Sequence, residues 1–398
     1  MVQVNQSWPA DAFDAIGIRV NDGNIAVRGF DGDEVKLEAD VEEKHLDALR
    51  TDRSGRWLNV YTQPYASKLK LTIWLPEHKA WMLDLFAGRV NLYAAKVHAC
   101  FHIMVGSGEV HIEDCRGIFA AATGHGDITL EHFKQEDVPE IYRMPDEERQ
   151  SKQDRTETVL DWGKDYWTQW GLDISEKILR KLFGQTGVKS LGSGISVKTG
   201  NGHLRLDEIE AGTCVVRSAS SNASLTGGII SGLDVNILRG DVECESCRPA
   251  GDWSIKTNYG DILLSLPYDV STRLDVATRL GDIQSGLPMV RVARQGPGAW
   301  HGGRMVGAIG KGTDAKAQVP EIYASTLRGD IKINVQPADG LNDSRTKDEQ
   351  IPVAQSMPGT GVSFDTSLDI LQALSEGRIT VDEAEKLLHS LGRRNKTD

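Results

Sequence analysis

The sequence predicts a mostly β protein, a β-solenoid (β-helix-like) with coils of about 19–20 residues, a helical insertion and a C-terminal helical hairpin. The first observation behind this prediction is the alternation of apolar and polar residues in many short segments, which is typical of half-buried strands. The second is a glycine-led motif that recurs at a nearly constant spacing. The third is a set of segments in which apolar residues recur at three- and four-residue steps, as in amphipathic helices.

Residues 1–133 form the first part of the predicted β-strand repeat region. Before residue 88, alternation predicts strands at 16–20, 57–61 and 69–76. From Gly88 onward the pattern becomes periodic, because successive strands begin with glycine, a polar residue and an apolar residue. This period-two alternation excludes a helical repeat, and a propeller blade would need roughly twice the spacing.

The motif is clearest at residues 257–264. Gly260 can take a positive φ without penalty, and the side chain of Asp261 can bond to its own backbone across a turn. Ile262 and Leu264 then point to one face of a strand. The regular spacing indicates one solenoid coil per repeat, and residues 186–335 form the second part of the repeat region. The glycine position recurs, mostly at steps of roughly 20 residues and with a serine at position 221: Gly88, Gly108, Gly126, Gly202, Gly240, Gly260, Gly281 and Gly329.

The insertion, residues 134–185, interrupts this period. Its first part, 134–158, is charged and predicts a loop, whereas 160–183 has the spacing of an amphipathic helix that ends near Gly184. Three interpretations of this helix stay open: it covers an end or face of the solenoid, binds a partner or a second copy, or lies on a membrane surface. The mixed charges of its polar face make the membrane interpretation the weakest. The residues predicted for partner contact are Trp162, Tyr166, Trp167, Trp170 and Ile174.

Three further segments complete the chain. Residues 289–320 are rich in glycine and predict a long hairpin or a surface loop. Polar residues and three prolines at 336–361 predict a linker. Residues 362–398 predict a hairpin of two short helices, which cannot bury enough surface alone and should dock on the solenoid, another copy or a partner. The apolar faces of these two helices include Leu371, Leu374, Leu387 and Leu388.

The order of these segments resembles a known family. Leu58-Asn59-Val60, then Leu71-Thr72-Ile73-Trp74-Leu75-Pro76, then repeated Gly-Asp-Ile/Val strands resemble the bacterial "putative adhesin" β-strand-repeat family of unknown function, over about residues 13–133 and 186–335. Residues 368–384 are similar to the SHOCT-like helical hairpin, which often accompanies this family. The resemblance implies a β-helix-like solenoid, family members linked to envelope stress and adhesion, and a hairpin that supports oligomerisation. It implies no catalytic residues.

The aspartates that follow the repeat glycines are the first candidate for chemistry. If the coils stack in register, successive carboxylates would lie roughly 5 Å apart, and such like charges would raise one another's pKa or recruit a cation. The alternative is that aspartate follows glycine because the turn favours it. The nine-residue pattern of calcium-binding β-rolls is absent. These residues are Asp127, Asp241, Asp261, Asp282 and Asp330.

Two further clusters offer soft ligands. His98, Cys100 and His102 would share one face of a strand, where they could suggest zinc, but the outer two would lie roughly 13 Å apart. The alternative is an outward polar face. Cys244 and Cys247 form a lone CxxC, for which redox chemistry competes with burial in the core. Neither a nucleophile elbow nor a phosphate-binding loop is found in the sequence.

Composition limits the classes of function. The formal net charge is −12, with 57 acidic and 45 basic residues, and the sequence lacks the basic stripe that nucleic-acid binding needs. The first residues do not resemble a signal peptide, and no apolar run approaches the roughly 18 residues of a membrane span. Five cysteines, an odd number, favour free thiols over a disulfide framework. We therefore expect a cytoplasmic protein that does not bind nucleic acid.

These observations together predict a non-enzymatic β-solenoid scaffold for protein–protein interaction or self-assembly, without a cofactor or a resident metal. Contact with a protein partner, or with further copies in a homo-oligomer, is expected through the helical segments, and contact with a membrane surface is not. The alternative is a carbohydrate-active β-helix enzyme or a sugar-binding module. Three or more ionisable side chains that converge in a groove would favour the enzyme, and a flat or ladder-like surface would favour the scaffold.

Overall fold

The computed structural model describes residues 2–43, 48–63, 68–136, 194–292, 302–309 and 319–336. Contacts within the chain divide it into two units, Met1–Ala338 and Asp339–Asp398, and every described residue belongs to the first. Most described residues lie in strands, which all belong to one hydrogen-bonded sheet, and one 3-10 turn spans Ala10–Ala12. The strands are β1 (Val2–Pro9), β2 (Ala15–Phe30), β3 (Glu34–Val41), β4 (Leu49–Ser54), β5 (Trp57–Thr62), β6 (Leu69–Pro76), β7 (Trp81–Ala95), β8 (His98–Ser107), β9 (Val110–Glu113), β10 (Arg116–His125), β11 (Ile128–Glu131), β12 (Lys134–Gln135), β13 (Ile195–Asp207), β14 (Glu210–Thr226), β15 (Ile229–Arg239), β16 (Val242–Glu245), β17 (Arg248–Pro249), β18 (Trp253–Tyr259), β19 (Ile262–Pro267), β20 (Thr272–Leu280), β21 (Ile283–Ser285), β22 (Met289–Arg291), β23 (Arg304–Ile309), β24 (Glu321–Arg328) and β25 (Ile331–Gln336).

Parallel pairing between successive coils forms the body of the molecule. β8 pairs with β10, so that His98 lies beside Arg116. In the same way β13 pairs with β14, and β15 with β18, each strand with its counterpart one coil further along the chain. Residues at equivalent positions of the repeat therefore lie directly above one another. The predicted mostly β repeat architecture is confirmed.

Each coil turns at two kinds of corner. One corner carries the repeat glycine with a positive φ, as at Gly260. The other carries a non-glycine residue in the left-handed conformation, followed by a buried residue, as at Asp114 and Cys115. Aspartate tolerates that conformation better than most residues, and the buried residue anchors the corner in the core. Equivalent left-handed corners stand at Lys96, His132, Glu208 and Ser246.

Antiparallel strands cover both ends of the stack. β1 pairs with β3, β3 with β6, and β4 with β5, all antiparallel, at the N-terminal end. At the other end β20 pairs antiparallel with β23, which in turn pairs with β22. The antiparallel pairing of β22 with β23 agrees with the hairpin that was one of the two predictions for this glycine-rich segment. Such caps shield the open strand edges that a stack of parallel coils would otherwise present.

The last two described strands do not follow chain order in space. β24 lies between β18 and β20, because Trp253 pairs with Ile322 and Ile322 pairs with Leu274. β25 lies in the same way between β19 and β21. The chain therefore forms β18 and β19 first, then β20 to β23 at the end of the stack. It then returns, and β24 and β25 occupy the layer between these two sets of strands. This return explains why the step from Gly281 to Gly329, the final repeat, is more than twice as long as the regular one.

The core lies inside the coils and is formed by inward residues of every strand. Phe101 and Phe119 pack against each other across neighbouring coils with their tilted ring centroids 6.0 Å apart, and Phe133 completes the cluster at 5.8 Å from Phe119. All three rings are fully buried. The indole N–H of Trp253, another buried side chain, donates to the carbonyl oxygen of Ile230 at 3.0 Å.

The predicted fold class is wrong in its helical parts. Among the described residues no α-helix occurs. At Lys134, where a charged loop was predicted to begin, the chain instead forms β12, which pairs with β10. The left-handed corner at His132 and the buried Phe133 carry the repeat one strand further than the polar sequence suggested. The rest of the predicted insertion, the linker and the C-terminal hairpin lie outside the described residues.

Candidate interaction surfaces

All nine residues predicted for partner contact lie outside the described residues: Trp162, Tyr166, Trp167, Trp170, Ile174, Leu371, Leu374, Leu387 and Leu388. The surfaces that the structure does describe are formed by outward side chains of the coils. We call the outward side chains of β8, β10 and the segments stacked on them the long-strand face. Those of β9, β11 and the segments stacked on them form the short-strand face.

The aspartates after the repeat glycines form a hydrogen-bonded ladder on the short-strand face. Asp241 Oδ1 accepts the backbone N–H of Asp261 at 2.8 Å, and Asp261 Oδ1 accepts that of Asp330 at 2.7 Å. Asp330 Oδ1 then accepts the N–H of Asp282 at 2.8 Å. Each carboxylate therefore caps a backbone donor in the neighbouring coil. In the earlier coils Asp127 serves the N–H of His203 in the same way.

This ladder assigns the aspartates a structural role that neither interpretation of the sequence contained. A carboxylate oxygen that accepts a backbone N–H forms a charge-assisted hydrogen bond, which also fixes the height of the next coil. Across the described ranges, no three His, Cys, Asp or Glu side chains come together in a way that could hold a metal ion.

We expect Asp261→Ala to lower the free energy of unfolding by about 1 kcal/mol, because the N–H of Asp330 loses its acceptor. Asp261→Asn keeps an oxygen at the same position and should cost about half as much or less. Urea unfolding of the two variants measures the difference. Equal losses in both variants would show that the negative charge, not the acceptor, stabilises the turn.

His98, Cys100 and His102 point outward from β8, as predicted, between the buried Ala99, Phe101 and Ile103. Their side chains have separate partners. His102 Nδ1 lies 2.9 Å from Asp84 Oδ1, whereas His98 Nε2 lies 3.9 Å from Glu136 Oε2. The three residues therefore do not converge on one point, which removes the geometric basis for zinc binding here.

The sequence analysis did not single out Asp84, a charged residue that binds two other ionisable side chains. Its carboxylate binds both His102 and the guanidinium of Arg19, which also donates to the carbonyl oxygen of Asp84 at 3.0 Å. Burial alone would raise the pKa of Asp84, but the hydrogen bond from His102 and the charge of Arg19 outweigh burial and hold that pKa below its ordinary value of 3.8. The signal was present in the sequence, because Asp84 precedes His102 by one coil and the two residues pair across β7 and β8.

Asp84, His102 and Cys100 share one face, and such a set could form a thiol nucleophile with its base. The thiol is in the wrong state for that role. Burial and the charge of Asp84 raise the pKa of Cys100 to about 11, whereas catalytic thiols have lowered values. The cluster of Arg19, Asp84 and His102 therefore stabilises the sheet.

We expect Asp84→Asn to lower the free energy of unfolding by about 2 kcal/mol near neutral pH, because it removes a mostly buried charge partner of Arg19. A lowered pKa in the folded state stabilises the protein above the ordinary value, and this stabilisation is lost as the pH falls through the folded value. The difference between variant and wild type should therefore shrink from about pH 7 to about pH 3, as measured by urea unfolding.

The chain contains a matched control for this prediction. Arg217 binds Asp234 with the same arrangement, donating to its carboxylate and to its carbonyl oxygen, but Asp234 is 46% exposed where Asp84 is 19% exposed. Asp234→Asn should cost about 0.5 kcal/mol or less. If both variants lose the same stability, burial does not distinguish the two pairs.

The CxxC residues Cys244 and Cys247 are both buried in the core. Burial raises the pKa of Cys247 to about 12 and that of Cys244 well above its ordinary value. The Cys247 thiol donates to the carbonyl oxygen of Leu225 at 3.4 Å. Protonated, buried thiols do not suit redox exchange, so the core interpretation is the better one.

The second half of the long-strand face carries exposed tyrosines beside cations. Tyr259 is 43% exposed and lies between the guanidinium groups of Arg239 and Arg328, at 5.9 and 6.0 Å from its ring centroid. Tyr323 is 36% exposed and lies 5.4 Å from the ammonium of Lys256. These contacts are within cation–π range, and they leave aromatic edges and donors available to a partner.

The described part of the chain contains no helix that is long and apolar enough to span a membrane.

Comparison with solved structures finds chains that are similar over 84% of this protein, at very low identity. A putative cell adhesion protein from Clostridium sporogenes is 8% identical, is covered over 99% of its length and has a TM-score of 0.19. A putative lipid binding protein from Parabacteroides distasonis is 9% identical, is covered over 96% and has a TM-score of 0.28. A putative adhesin from Parabacteroides merdae is 9% identical, with 96% coverage and a TM-score of 0.22. Scores this low support no argument about function.

Among curated proteins, none matches this chain. A family comparison does give a match, to the family described as Toastrack DUF4097, over residues 13–297. The match covers the N-terminal cap and most of the stacked coils, and so agrees with the expected β-repeat family of unknown function. The tail with its SHOCT-like resemblance lies outside the matched residues. The chain belongs to the Toastrack DUF4097 family.

Proposed function

We propose that this protein is a non-enzymatic scaffold that binds protein partners, its own copies among them. The observation that carries this proposal is the arrangement of charged side chains on the described coils. The aspartates that follow the repeat glycines stand in a row and bind backbone donors within that row, as in the Asp241–Asp261–Asp330 ladder. A broad ladder-like surface suits recognition of another macromolecule better than chemistry on a small substrate.

The C-terminal segment supplies the contact for self-association in this proposal. Residues 362–398 are too few for a core of their own, and their apolar residues include Leu371, Leu374, Leu387 and Leu388. Burial of these leucines against a second copy would remove their apolar surface from water. The link to adhesion or envelope stress stays a prediction from the family resemblance.

Light scattering coupled to size exclusion tests this route in the full chain. We expect a mass above the 43.6 kDa of one chain for the wild type, and the mass of one chain for Leu371→Asp/Leu374→Asp. Gln372→Asp/Ser375→Asp adds the same charge nearby without removing a leucine and should keep the larger mass. A wild type that stays monomeric up to about 100 μM, a concentration that favours weak association, would contradict the proposal.

A sugar-binding module is a second candidate, favoured by the exposed tyrosines and their cations. Tyr259 with Arg239 and Arg328 offers an aromatic ring and fixed charges of the kind that an acidic polysaccharide could contact. Titration calorimetry with polygalacturonate tests it. Binding that is lost in Tyr259→Ala but kept in Tyr268→Ala, an exposed tyrosine at 53%, would support this candidate, and no heat of binding would remove it.

A further inference from the structure

Two rows of side chains run along the corner of the stack where the repeat glycines lie. The residue before each glycine (or before the serine at 221) belongs to the first row, and the residue after it belongs to the second. Strand pairing places the first row in register through successive layers: Ser107, His125, Asn201, Ser220, Arg239, Tyr259, Arg328 and Leu280. The second row consists of Glu109, Asp127, His203, Asn222, Asp241, Asp261, Asp330 and Asp282.

The two rows carry opposite charges. Arg239 and Arg328 are the charged residues of the first row near neutral pH, and this row contains no carboxylate. The second row contains only carboxylates, apart from His203 and Asn222. The corner is therefore dipolar, with cations along one side of the glycines and carboxylates along the other.

The opposite charges of one chain do not neutralise each other at this corner. Arg239 and Arg328 are exposed and flank the ring of Tyr259, and neither forms an ion pair with a described residue, although an aspartate follows each at two residues' distance. Asp241 and Asp330 each use Oδ1 to accept a backbone N–H of the neighbouring coil. Their second oxygens accept no hydrogen bond from a described residue. Both kinds of charge are therefore available to a partner.

Symmetry decides which arrangement of two copies would match these charges. A two-fold axis parallel to the stack places the first row of each copy opposite the second row of the other, with each layer at the height of its own counterpart. A two-fold axis across the stack places each row opposite itself, so that arginines would face arginines. Isologous contacts of this kind are the commonest in homodimers. Only the parallel axis brings opposite charges together.

We propose that the glycine corner is a contact between two copies of this chain, related by a two-fold axis parallel to the stack. Arg239 then faces Asp241 of the second copy, Arg328 faces its Asp330, and each pair occurs twice. In the layer between them the hydroxyl of Tyr259 faces a carboxylate, that of Asp261. From Ser107 to Asp282, none of the described layers would place two groups of like charge opposite each other.

A second copy fits this corner better than an acidic polymer does. A polymer could bind Arg239 and Arg328, but it would then lie beside the row of carboxylates, which repels it. A second copy offers cations to the carboxylates as well as carboxylates to the cations. Pairs of exposed charges are individually weak, so we expect a dimer that forms in the micromolar range and is sensitive to salt. The inference rests on the proposed function only in taking a further copy as partner, and it uses a different surface from residues 362–398.

The first test separates this contact from that of the C-terminal segment. The parent protein is the full chain with Leu371→Asp/Leu374→Asp, and its mass is followed by sedimentation equilibrium up to about 100 μM. We expect the mass to rise from 43.6 kDa toward that of two chains. The dissociation constant should rise about tenfold or more between about 0.05 and 0.5 M salt, because ions screen exposed charges.

Charge reversal at the corner should abolish this association. Arg239→Glu/Arg328→Glu in the parent places carboxylates opposite carboxylates and should keep the mass of one chain. Arg50→Glu/Arg273→Glu makes the same change of net charge at exposed positions of β4 and β20 and should associate like the parent. A parent that stays monomeric, even where the wild type associates, would overturn this inference without touching the C-terminal route. Equal loss in both charge variants would overturn it as well.

Cross-linking tests the orientation of the two copies. Position 107 of one copy should face position 109 of the other, so Ser107→Cys and Glu109→Cys variants of the parent are mixed and treated with a short bismaleimide. We expect the 107–109 product to form several-fold faster than the 107–107 product. The parent itself, in which the five native cysteines are buried or half-buried, gives the background. Equal rates for the two products would show that the rows do not face each other as proposed, and the inference would then be wrong.

Discussion

Gly260→Ala should lower the free energy of unfolding by about 3 kcal/mol or more, the largest effect we expect from a single methyl group. Gly260 has a φ of +155°, and a Cβ built on it would lie 2.0 Å from the carbonyl oxygen of Gly240 in the neighbouring coil. That oxygen already accepts the hydroxyl of Thr257 at 2.9 Å, so it cannot move without losing a buried hydrogen bond. Urea unfolding of the full chain measures the loss.

A second glycine provides the matched control. Gly232 lies in β15 without a positive φ in the strained range, and a Cβ there would meet its nearest atom, the carbonyl oxygen of Gly212, at 3.4 Å. Gly232→Ala should therefore change the free energy of unfolding by about 1 kcal/mol or less. A Gly260→Ala protein as stable as Gly232→Ala would show that coils can separate to admit a side chain, contrary to the close stacking described above.

Phe119→Ala should cost about 3–5 kcal/mol, because it empties the centre of the aromatic cluster. Phe119 is fully buried, and its ring lies 6.0 Å from that of Phe101 and 5.8 Å from that of Phe133. Backbone pairing holds these three residues in successive layers, so neighbouring side chains can fill only part of the cavity. The measurement is again the free energy of unfolding in urea.

Phe119→Leu is the control for volume. It keeps most of the apolar contact and should cost on the order of 1 kcal/mol. A loss in Phe119→Ala that is no larger than in Phe119→Leu would mean that the coil relaxes around the missing ring. In that case the core of this stack is softer than a close-packed interior.

Much of the strand content followed from local pattern. The alternation at residues 57–61 and 69–76 corresponds to β5 and β6, and the outward direction of His98, Cys100 and His102 followed from period two alone. The charged residues after His132 obscured β12, because its only apolar marker, Phe133, precedes the strand. The polar composition there predicted a loop. The segment forms a strand because its backbone pairs with β10 in the neighbouring coil.

The surfaces were less predictable than the strands. Asp84 could have been found from its distance of one coil to His102, but no local pattern marks an ion pair between two strands. The aspartates were recognised as a row, yet their hydrogen bonds depend on the height of the next coil. The residues predicted for partner contact lie outside the described residues and stay predictions.

The sequence by itself determined that this chain forms short strands in coils of about 19 residues, since alternation and repeat glycines act within a short stretch of chain. Only the tertiary structure decided which coils are neighbours. Gly329 lies between Gly260 and Gly281 because β24 and β25 return to a layer that chain order had left open. The same stacking turned the aspartates from candidate ligands into caps for backbone donors of the adjacent coil. The physical reason is that strand pairing in a sheet joins residues that are far apart in the sequence. A late strand pairs with whichever strand edges are still unpaired, and the local sequence carries no information about those edges.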